Sequence, residues 1–218
     1  MSRQNRNVSD RKQAAGTSAA TSLPALCDAD LFARFLDGEQ ASFTVLYHRY
    51  AARVNGYIRS LVGTQNLAAD DVFQETFLRL YRERRRDGAT PVSNVGGWLF
   101  RVARNLSLNQ IRSEGYLTDL PEGYGNDLVT TPKEAFPNLF GPEVSDEELV
   151  RHVHAVVETL PSTLREIFVL REVNGMSYEE TAAIANCSTE AARMRLSRAR
   201  AAIRAALADV RQENQEGS

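Results

Sequence analysis

The apolar positions between residues 43 and 61 recur at the spacing of one helical face. They are Phe43, Leu46, Tyr47, Tyr50, Val54, Tyr57, Ile58 and Leu61. Because an α-helix has 3.6 residues per turn, steps of three and four bring these side chains to one side of the helix. The pattern predicts a long amphipathic helix, and the apolar spacing that precedes it begins at Leu31.

Two more amphipathic segments follow. In DDVFQETFLRLYRERRR, Asp71 with Gln74 has the spacing of a capping box, which predicts that the helix begins at Asp71. Its predicted inward positions are Val72, Phe73, Phe77, Leu80 and Tyr81, which leaves Asp70, Gln74, Glu75 and Leu78 on another side. After the loop DGATPVSNVGG, the segment WLFRVARNLSLNQIR predicts a helix from Trp98 with the apolar stripe Leu99, Val102, Ala103, Leu106 and Ile111.

Residues 113–144 contain four prolines and no sustained apolar period, which is typical of a linker between domains. Ser145 with Glu148 then predicts a helix start, and Leu149, Val153, Val156 and Leu160 are spaced for one face of that helix. Pro161 suits the start of the next helix, which is predicted to end near Gly175. No segment alternates as a strand would. The sequence therefore predicts an all-α fold of two small helical domains joined by a flexible acidic linker.

The last part of the chain has the pattern of a helix-turn-helix. Ser177 with Glu180 forms a capping box, and Tyr178, Ala182, Ile184 and Ala185 supply the apolar face of a short helix. Asn186 follows where the chain must turn sharply, and asparagine tolerates a left-handed backbone. Ser188 is placed to cap a long helix from Thr189 to about Leu207, with the buried stripe Ala192, Leu196, Ala199 and Ile203. A simple helical hairpin remains an alternative, since the motif depends on geometry.

The chain of 218 residues has a net charge of only -2, but the charge is unevenly distributed. Residues 79–112 hold eight Arg against Glu83 and Asp87, and residues 189–204 hold five Arg against Glu190, whereas residues 113–148 hold nine acidic residues against Lys133. A single basic run is most often a solvated face. Two basic blocks that flank an acidic one favour a nucleic-acid partner.

In a helix-turn-helix, the N-terminal part of the second helix enters the major groove of DNA. The residues placed to contact DNA there are Ser188, Thr189, Glu190, Arg193, Arg195 and Arg198. Arginine outnumbers lysine 24 to 2, which suits bidentate contacts to guanine and phosphate, although genomic base composition produces the same bias.

Other classes of function find little support in the sequence. There is no run of eighteen apolar residues and no secretory signal, so we expect no membrane span and a cytoplasmic location. Cys27 and Cys187 are distant, which argues against a disulfide framework, and His152 and His154 lack companion ligands for a metal. No nucleophile with a partnered base and no phosphate-binding glycine loop is present. We therefore expect neither an enzyme nor a cofactor.

The chain resembles the extracytoplasmic-function group of bacterial RNA polymerase sigma factors. The resemblance covers residues 28–113 and 146–207, and it is carried by FTVLYHRYAARV, DDVFQETFLRLYR, WLFRVARNLSLNQIR, LPSTLREIFVLREVNGMSYEETAAIANCS and RLSRAR. It implies a core-binding and minus-ten domain (28–113) and a minus-thirty-five domain (146–211). The remaining segments are predicted to be a flexible tail (1–27), the acidic linker (114–145) and a second flexible tail (212–218). The implied partners are core RNA polymerase (the clamp helices of its largest subunit and its flap), promoter DNA and an anti-sigma factor.

The resemblance also implies roles for individual residues. Core polymerase would be contacted by Asp70, Asp71, Gln74, Glu75 and Leu78. The minus-ten element would be opened and held by Asn94, Trp98, Arg101, Arg104, Asn105, Asn109 and Arg112, since a melting protein must capture an unstacked base and hold the single strand. For Trp98, packing is favoured over base stacking.

One departure from the family pattern, one expectation about the linker and one alternative function stay open. The run Glu190-Ala191-Ala192-Arg193 replaces a Gly-Thr-Val-Lys-like run that is common in the family, so no promoter sequence can be transferred by analogy. Residues 113–148 carry a charge of -8, and we expect the linker within them to mimic nucleic acid in a basic channel of the polymerase. A conventional helix-turn-helix regulator would explain the second domain, but it leaves the motifs of the first domain without a role.

Overall fold

The computed structural model of the chain describes residues 22–63, 67–84, 92–113 and 147–216, with side chains in the last range between residues 153 and 206. The described residues form helices and no strand, which confirms the all-α prediction. After a short 3₁₀ turn (Leu23–Ala25), the first domain contains α1 (Asp28–Leu36), α2 (Gln40–Val62), α3 (Ala68–Glu83) and α4 (Val95–Ser113). The second contains α5 (Glu147–Thr159), α6 (Ser162–Phe168), α7 (Tyr178–Ala185) and α8 (Thr189–Glu216).

Helix α2 is the central helix of the first domain, and it packs against α1, α3 and α4. Leu46, Val54, Tyr57 and Ile58 of its predicted face are completely buried, so the amphipathic prediction is confirmed. Their burial against apolar neighbours supplies the main stabilisation of this bundle, at about 1.5–3 kcal/mol for each large side chain. The apolar residues of α1 (Leu31, Phe32 and Phe35) close the same core.

The first domain also contains polar contacts between the start of α1 and α2. The carboxylate of Asp28 accepts hydrogen bonds from Arg49 and from the Tyr50 hydroxyl. Arg49 additionally donates to the carbonyl oxygens of Pro24 and Leu26 at 2.6 and 2.8 Å. These bonds hold the start of the domain against α2. They also give hydrogen-bond partners to two backbone carbonyl groups that precede α1.

Two predicted helix starts are wrong. Helix α3 begins at Ala68 rather than Asp71, and Leu67 precedes it without a side-chain cap, because Asp71 already lies inside the first turn. Helix α4 begins at Val95 rather than Trp98, and the Asn94 side chain accepts from the Gly97 amide at 2.6 Å. A Cβ atom on Gly97 would lie 3.0 Å from the Asn94 side chain, so the glycine makes room for this cap.

The second domain is built around α8. Its predicted stripe is confirmed, since Ala192, Leu196, Ala199 and Ile203 are at most 1% exposed. Helix α6 follows Pro161 as predicted and continues as a single π-helical stretch, Val169–Val173. Helix α8 continues to Glu216, beyond the predicted end near Leu207.

The helix-turn-helix has the predicted local chemistry. Ser177 and Glu180 form a reciprocal capping box at the start of α7, with bonds of 3.1 and 2.7 Å. Asn186 ends α7 in the left-handed conformation, with φ 51° and ψ 54°. The Ser188 hydroxyl accepts from the Ala191 amide at 3.1 Å and so caps α8. The predicted cap at Ser145 lies outside the described residues, as does the acidic linker 114–145.

Candidate polymerase and nucleic-acid interfaces

Helix α3 has an exposed stripe with polar residues between two leucines. Asp71 and Gln74 are exposed, and Leu78 is 46% exposed. Leu67, which sequence reasoning missed, is 87% exposed, and its helical backbone places it one turn before Asp71. We call Leu67, Asp71, Gln74 and Leu78 the α3 stripe. Because two large exposed apolar side chains lie on one helix face with polar groups between them, the α3 stripe is a candidate protein-binding surface.

The other two predicted polymerase contacts flank the α3 stripe and are held by arginines. Asp70 forms an ion pair with Arg59 of α2 at 2.8 Å. Glu75 forms ion pairs with Arg79 at 3.0 Å and with Arg82 at 3.3 Å. The hydrogen bond from Arg79 is the main reason that the pKa of Glu75 lies below its ordinary value, so this carboxylate is charged at neutral pH. These pairs fix the carboxylates on either side of the stripe.

Asn94 joins the two domains. While its carbonyl oxygen caps α4, its amide nitrogen donates to Oε1 of Glu180 at 2.6 Å. Glu180 is the capping-box residue of α7, and its other oxygen accepts from the Ser177 amide. The bond from that amide is the main reason that the pKa of Glu180 is lowered. This predicted minus-ten residue is thus bonded to the helix-turn-helix.

Arg104 also contacts the second domain. Its Nε donates to Oε1 of Glu166 at 2.6 Å, and the hydroxyl of Tyr57 donates to the same oxygen at 2.9 Å. Burial alone would lower the pKa of Arg104, but the hydrogen bond and charge of Glu166 outweigh it, and the pKa is raised. Burial raises the pKa of Tyr57 well above its ordinary value, so its hydroxyl remains a donor.

The remaining predicted minus-ten residues lie on the outside of α4. Arg101, Asn105, Asn109 and Arg112 are exposed. Trp98 is half-buried and packs against the core, as the packing interpretation expects. Residues 87–91 of the predicted loop lie outside the described part of the chain.

The start of α8 exposes most of the predicted minus-thirty-five residues. Ser188, Glu190, Arg193 and Arg198 are exposed, while Thr189 and Arg195 are half-buried. Farther along, Arg200 pairs with Glu172 inside the domain, and Arg204 is exposed.

Two residues of the second domain were not predicted to belong to this surface. Met194 lies between Arg193 and Arg195 in the sequence and is 57% exposed. The sequence alone did not show that this side chain is exposed. The Tyr178 ring lies under Arg193, whose guanidinium carbon is 5.1 Å from the ring centroid. Cys187, in the turn, is half-buried and packs on the core as a small apolar residue does.

Comparison with known proteins identifies the two domains. Residues 46–116 match the family described as Sigma-70 region 2, and residues 151–203 match Sigma-70, region 4. The chain is 33% identical over 184 residues to the ECF RNA polymerase sigma-E factor of Escherichia coli (strain K12), covering 82% of this chain and 93% of that protein. It is also 33% identical over 180 residues to RNA polymerase sigma factor CarQ of Myxococcus xanthus, a match that covers 83% of this chain and 97% of that protein.

Solved structures agree in fold. CnrH in complex with the cytosolic domain of CnrY superimposes with a TM-score of 0.57 and 25% identity, covering 84% of this chain and 97% of that one. The sigma factor RpoE in complex with the anti-sigma factor NepR from Bartonella quintana superimposes with a TM-score of 0.56 and 23% identity. The match covers 76% of this chain and 96% of that one.

A helical region 2 and a helical region 4 in one chain define an RNA polymerase sigma factor, a class of non-catalytic transcription initiation factors. The chain belongs to the extracytoplasmic-function (ECF) group of these factors. Among its described helices, none combines the length and apolar character needed to cross a membrane.

Proposed function

We propose that this sigma factor uses three separate surfaces to direct promoter-specific initiation. The α3 stripe and its flanking carboxylates contact the clamp helices of the largest polymerase subunit. The exposed side of α4 holds the melted minus-ten strand, and the start of α8 reads the minus-thirty-five element, while the second domain rests on the flap. The factor works in the cytoplasm, where the polymerase is, and has no catalytic activity of its own.

The observation that carries this proposal is the position of the exposed large apolar side chains. Within the described part of the chain these are Leu67, Leu78 and Met194. Two lie on the α3 stripe, and the third lies on the exposed start of α8. Water contact with such side chains is unfavourable, and burial by a partner removes it. Their positions support a protein partner at α3 and a DNA partner at α8, where a methionine can contact a thymine methyl group.

The charges on the two surfaces support the same assignment. The α3 stripe lies between carboxylates, which suit a basic polymerase surface through charge-assisted hydrogen bonds. The start of α8 exposes Arg193 and Arg198, which suit guanine edges and phosphate oxygens. Glu190 in the same turn is an acceptor for the amino group of cytosine. An anti-sigma factor is a further proposed partner, because RpoE of Bartonella quintana was solved with one.

The test combines core binding with initiation. Core polymerase and a promoter library are mixed with the wild-type chain, and specific transcripts and core affinity are measured. We expect Leu67→Ser with Leu78→Ser to weaken core binding at least about tenfold, since loss of buried apolar contact at an interface centre is costly. Asp71→Ala is compared with Asp37→Ala, an exposed aspartate outside the stripe. Specific DNA binding without any core binding would contradict the proposal and favour a conventional regulator.

A further inference from the structure

The first turn of α4 lies against the ring of Tyr50 on α2. A Cβ atom on Gly96 would be 2.9 Å from the Tyr50 hydroxyl oxygen and 3.0 Å from a ring carbon. Both distances are shorter than the separation of about 3.5–4.0 Å at which non-bonded heavy atoms attract most strongly. Gly96 is buried and Tyr50 is 7% exposed, so the contact belongs to the core. Because Gly96 has no side chain, its backbone can follow the ring closely, and the position of Tyr50 sets the start of α4.

Tyr50 is in turn held from α1. Its hydroxyl donates to one carboxylate oxygen of Asp28, and Arg49 donates to the other. Hydrogen bonds that involve a charged group are stronger than those between neutral groups. Burial and the hydrogen bond to Asp28 raise the pKa of Tyr50 above its ordinary value, so the hydroxyl stays protonated and remains a donor. Asp28 and Arg49 therefore fix the end of the ring that Gly96 meets.

The turn that Tyr50 supports begins at Asn94. The Asn94 side chain accepts from the Gly97 amide at 2.6 Å. Gly96 lies between Asn94 and the amide that Asn94 caps, so a shift of the Gly96 backbone moves both ends of this hydrogen bond. The orientation of Asn94 therefore depends on how firmly Tyr50 is held.

We propose that Asp28 and Tyr50 are positioning residues for minus-ten recognition, because the hydrogen bond between them holds the Tyr50 ring against the start of α4 and so fixes the direction in which Asn94 meets the promoter strand. This inference rests on the proposed function, in which the first domain holds that strand, and on Asn94 as one of the contact residues. A binding group is selective only when its supporting side chains are themselves fixed by packing and hydrogen bonds. In this arrangement Asn94 contacts the DNA, and the other two residues act only through it.

The test begins with Tyr50→Phe, which removes the hydroxyl oxygen and leaves the buried ring, while Asp28 keeps its ion pair with Arg49. A contribution to stability alone would reduce the active fraction, and so the binding of every promoter alike. A positioning role instead changes the preference among bases at the position that Asn94 meets and leaves the other positions as they are. The matched control is Tyr47→Phe, since Tyr47 is a half-buried tyrosine one turn earlier on α2.

Asp28→Ala removes the acceptor from the other side of the same hydrogen bond. Asp30→Ala is its control, because Asp30 is an exposed carboxylate in the same first turn of α1 and interacts with the same helix N-terminus. The reference for the DNA contact is Asn94→Ser, since a serine can still cap α4 but has no amide group.

Each full-length variant is assembled with core polymerase, and the affinity of the holoenzyme is measured for fluorescent promoters whose minus-ten element is already unpaired by mismatches. The panel presents each of the four bases at every minus-ten position, and a second panel varies the minus-thirty-five element. We expect Tyr50→Phe and Asp28→Ala to reduce discrimination by about threefold to tenfold, the range of couplings between neighbouring residues, at the position where Asn94→Ser does. The two controls are expected to match wild type. Core affinity and minus-thirty-five preference should be unchanged in every variant.

Tyr50→Phe is also combined with Asn94→Ser. Because Tyr50 acts through Asn94, the double variant is expected to discriminate no worse than Asn94→Ser alone. Additive losses, or a loss spread evenly over all positions, would overturn the inference. Circular dichroism checks the helical content of each variant, and if Asp28→Ala has lost it, Tyr50→Phe alone decides.

The result for Asn94→Ser separates this inference from the proposed function. If Asn94→Ser leaves every base preference unchanged, Asn94 does not read the strand, and both its assigned role and this inference are wrong. If Asn94→Ser loses discrimination at one position while Tyr50→Phe and Asp28→Ala lose none, the proposed function stands and the positioning role is wrong.

Discussion

The guanidinium carbon of Arg193 lies 5.1 Å from the centroid of the Tyr178 ring, and that of Arg171 lies 4.2 Å from the same centroid. Arg171 is itself fixed by a hydrogen bond to the carbonyl oxygen of Met176. Tyr178, on the first helix of the helix-turn-helix, thus restricts an arginine on the second. A restricted arginine loses less conformational freedom when it binds a base edge.

Tyr178→Leu is therefore expected to reduce discrimination at the base pair that Arg193 is proposed to read, by about 0.5–1 kcal/mol, the range of an exposed cation–π contact. Tyr178→Phe keeps the ring and should retain most of the discrimination. The measurement is the affinity of the holoenzyme for promoters that differ at each minus-thirty-five position. An equal loss at every position would mean that the ring serves stability alone.

Arg193→Ala and Arg204→Ala are expected to weaken DNA binding in different ways. Arg193 is on the first turns of α8, and its loss should cost about 1–3 kcal/mol and relax specificity at one base pair. Arg204 is exposed three turns farther along, and its loss should weaken binding slightly, for all sequences alike. Binding to the same promoter panel at two salt concentrations checks both. Sequence-blind losses from both variants would contradict the assignment.

The turn of the helix-turn-helix should be destabilised when Asn186 is replaced by alanine, which has a β-carbon but no polar group. Asn186 has φ 51°, and its side chain is among the few that tolerate this conformation. Asn186→Ala is expected to lower the free energy of unfolding by about 1 kcal/mol. Asn186→Gly is the control and should lie closer to wild type. Urea denaturation followed by circular dichroism gives both values.

His154 should make stability depend on pH. Burial lowers its pKa from the ordinary 6.5, so the unfolded chain binds a proton at a pH where the folded chain does not. This group therefore leaves folding unaffected well above pH 6.5 and opposes it as pH falls below that value. In the variant His154→Gln, the free energy of unfolding should decrease less between pH 7.5 and 5.5 than it does in wild type. His48 and His152 are present in both proteins. An identical pH slope in the variant would show that His154 does not contribute.

Much of the fold could be predicted because the relevant signals are local. The α8 stripe, the Ser177–Glu180 box and the Asn186 turn each depend on residues within one or two helical turns of one another. The start of α3 was misplaced because Asp71 and Gln74 have the spacing of a cap, whereas Leu67 already adopts a helical backbone. Capping patterns indicate a helix start, but packing decides which residue begins the helix.

The contacts of the candidate sites were less predictable, because their partners are remote in sequence. Asn94 and Glu180 are 86 residues apart, and Arg104 and Glu166 are 62 apart. Helical periodicity identifies the face of each residue but does not identify which other helix covers it. The exposure of Leu67 and Met194 also follows from tertiary packing. The sequence therefore supplies candidate residues, whose roles stay predictions, whereas their contacts depend on how helices remote in the chain pack together.

The cap at the start of α4 limits what Asn94 can recognise. Its side-chain oxygen accepts from the Gly97 amide and so holds the start of the helix, while its NH₂ group donates to Glu180. That group donates and cannot accept. If α4 holds the melted strand as proposed, a nucleobase at this position would be oriented with a ring nitrogen or a keto oxygen toward Asn94, because the group that is not committed to the start of the helix is a donor.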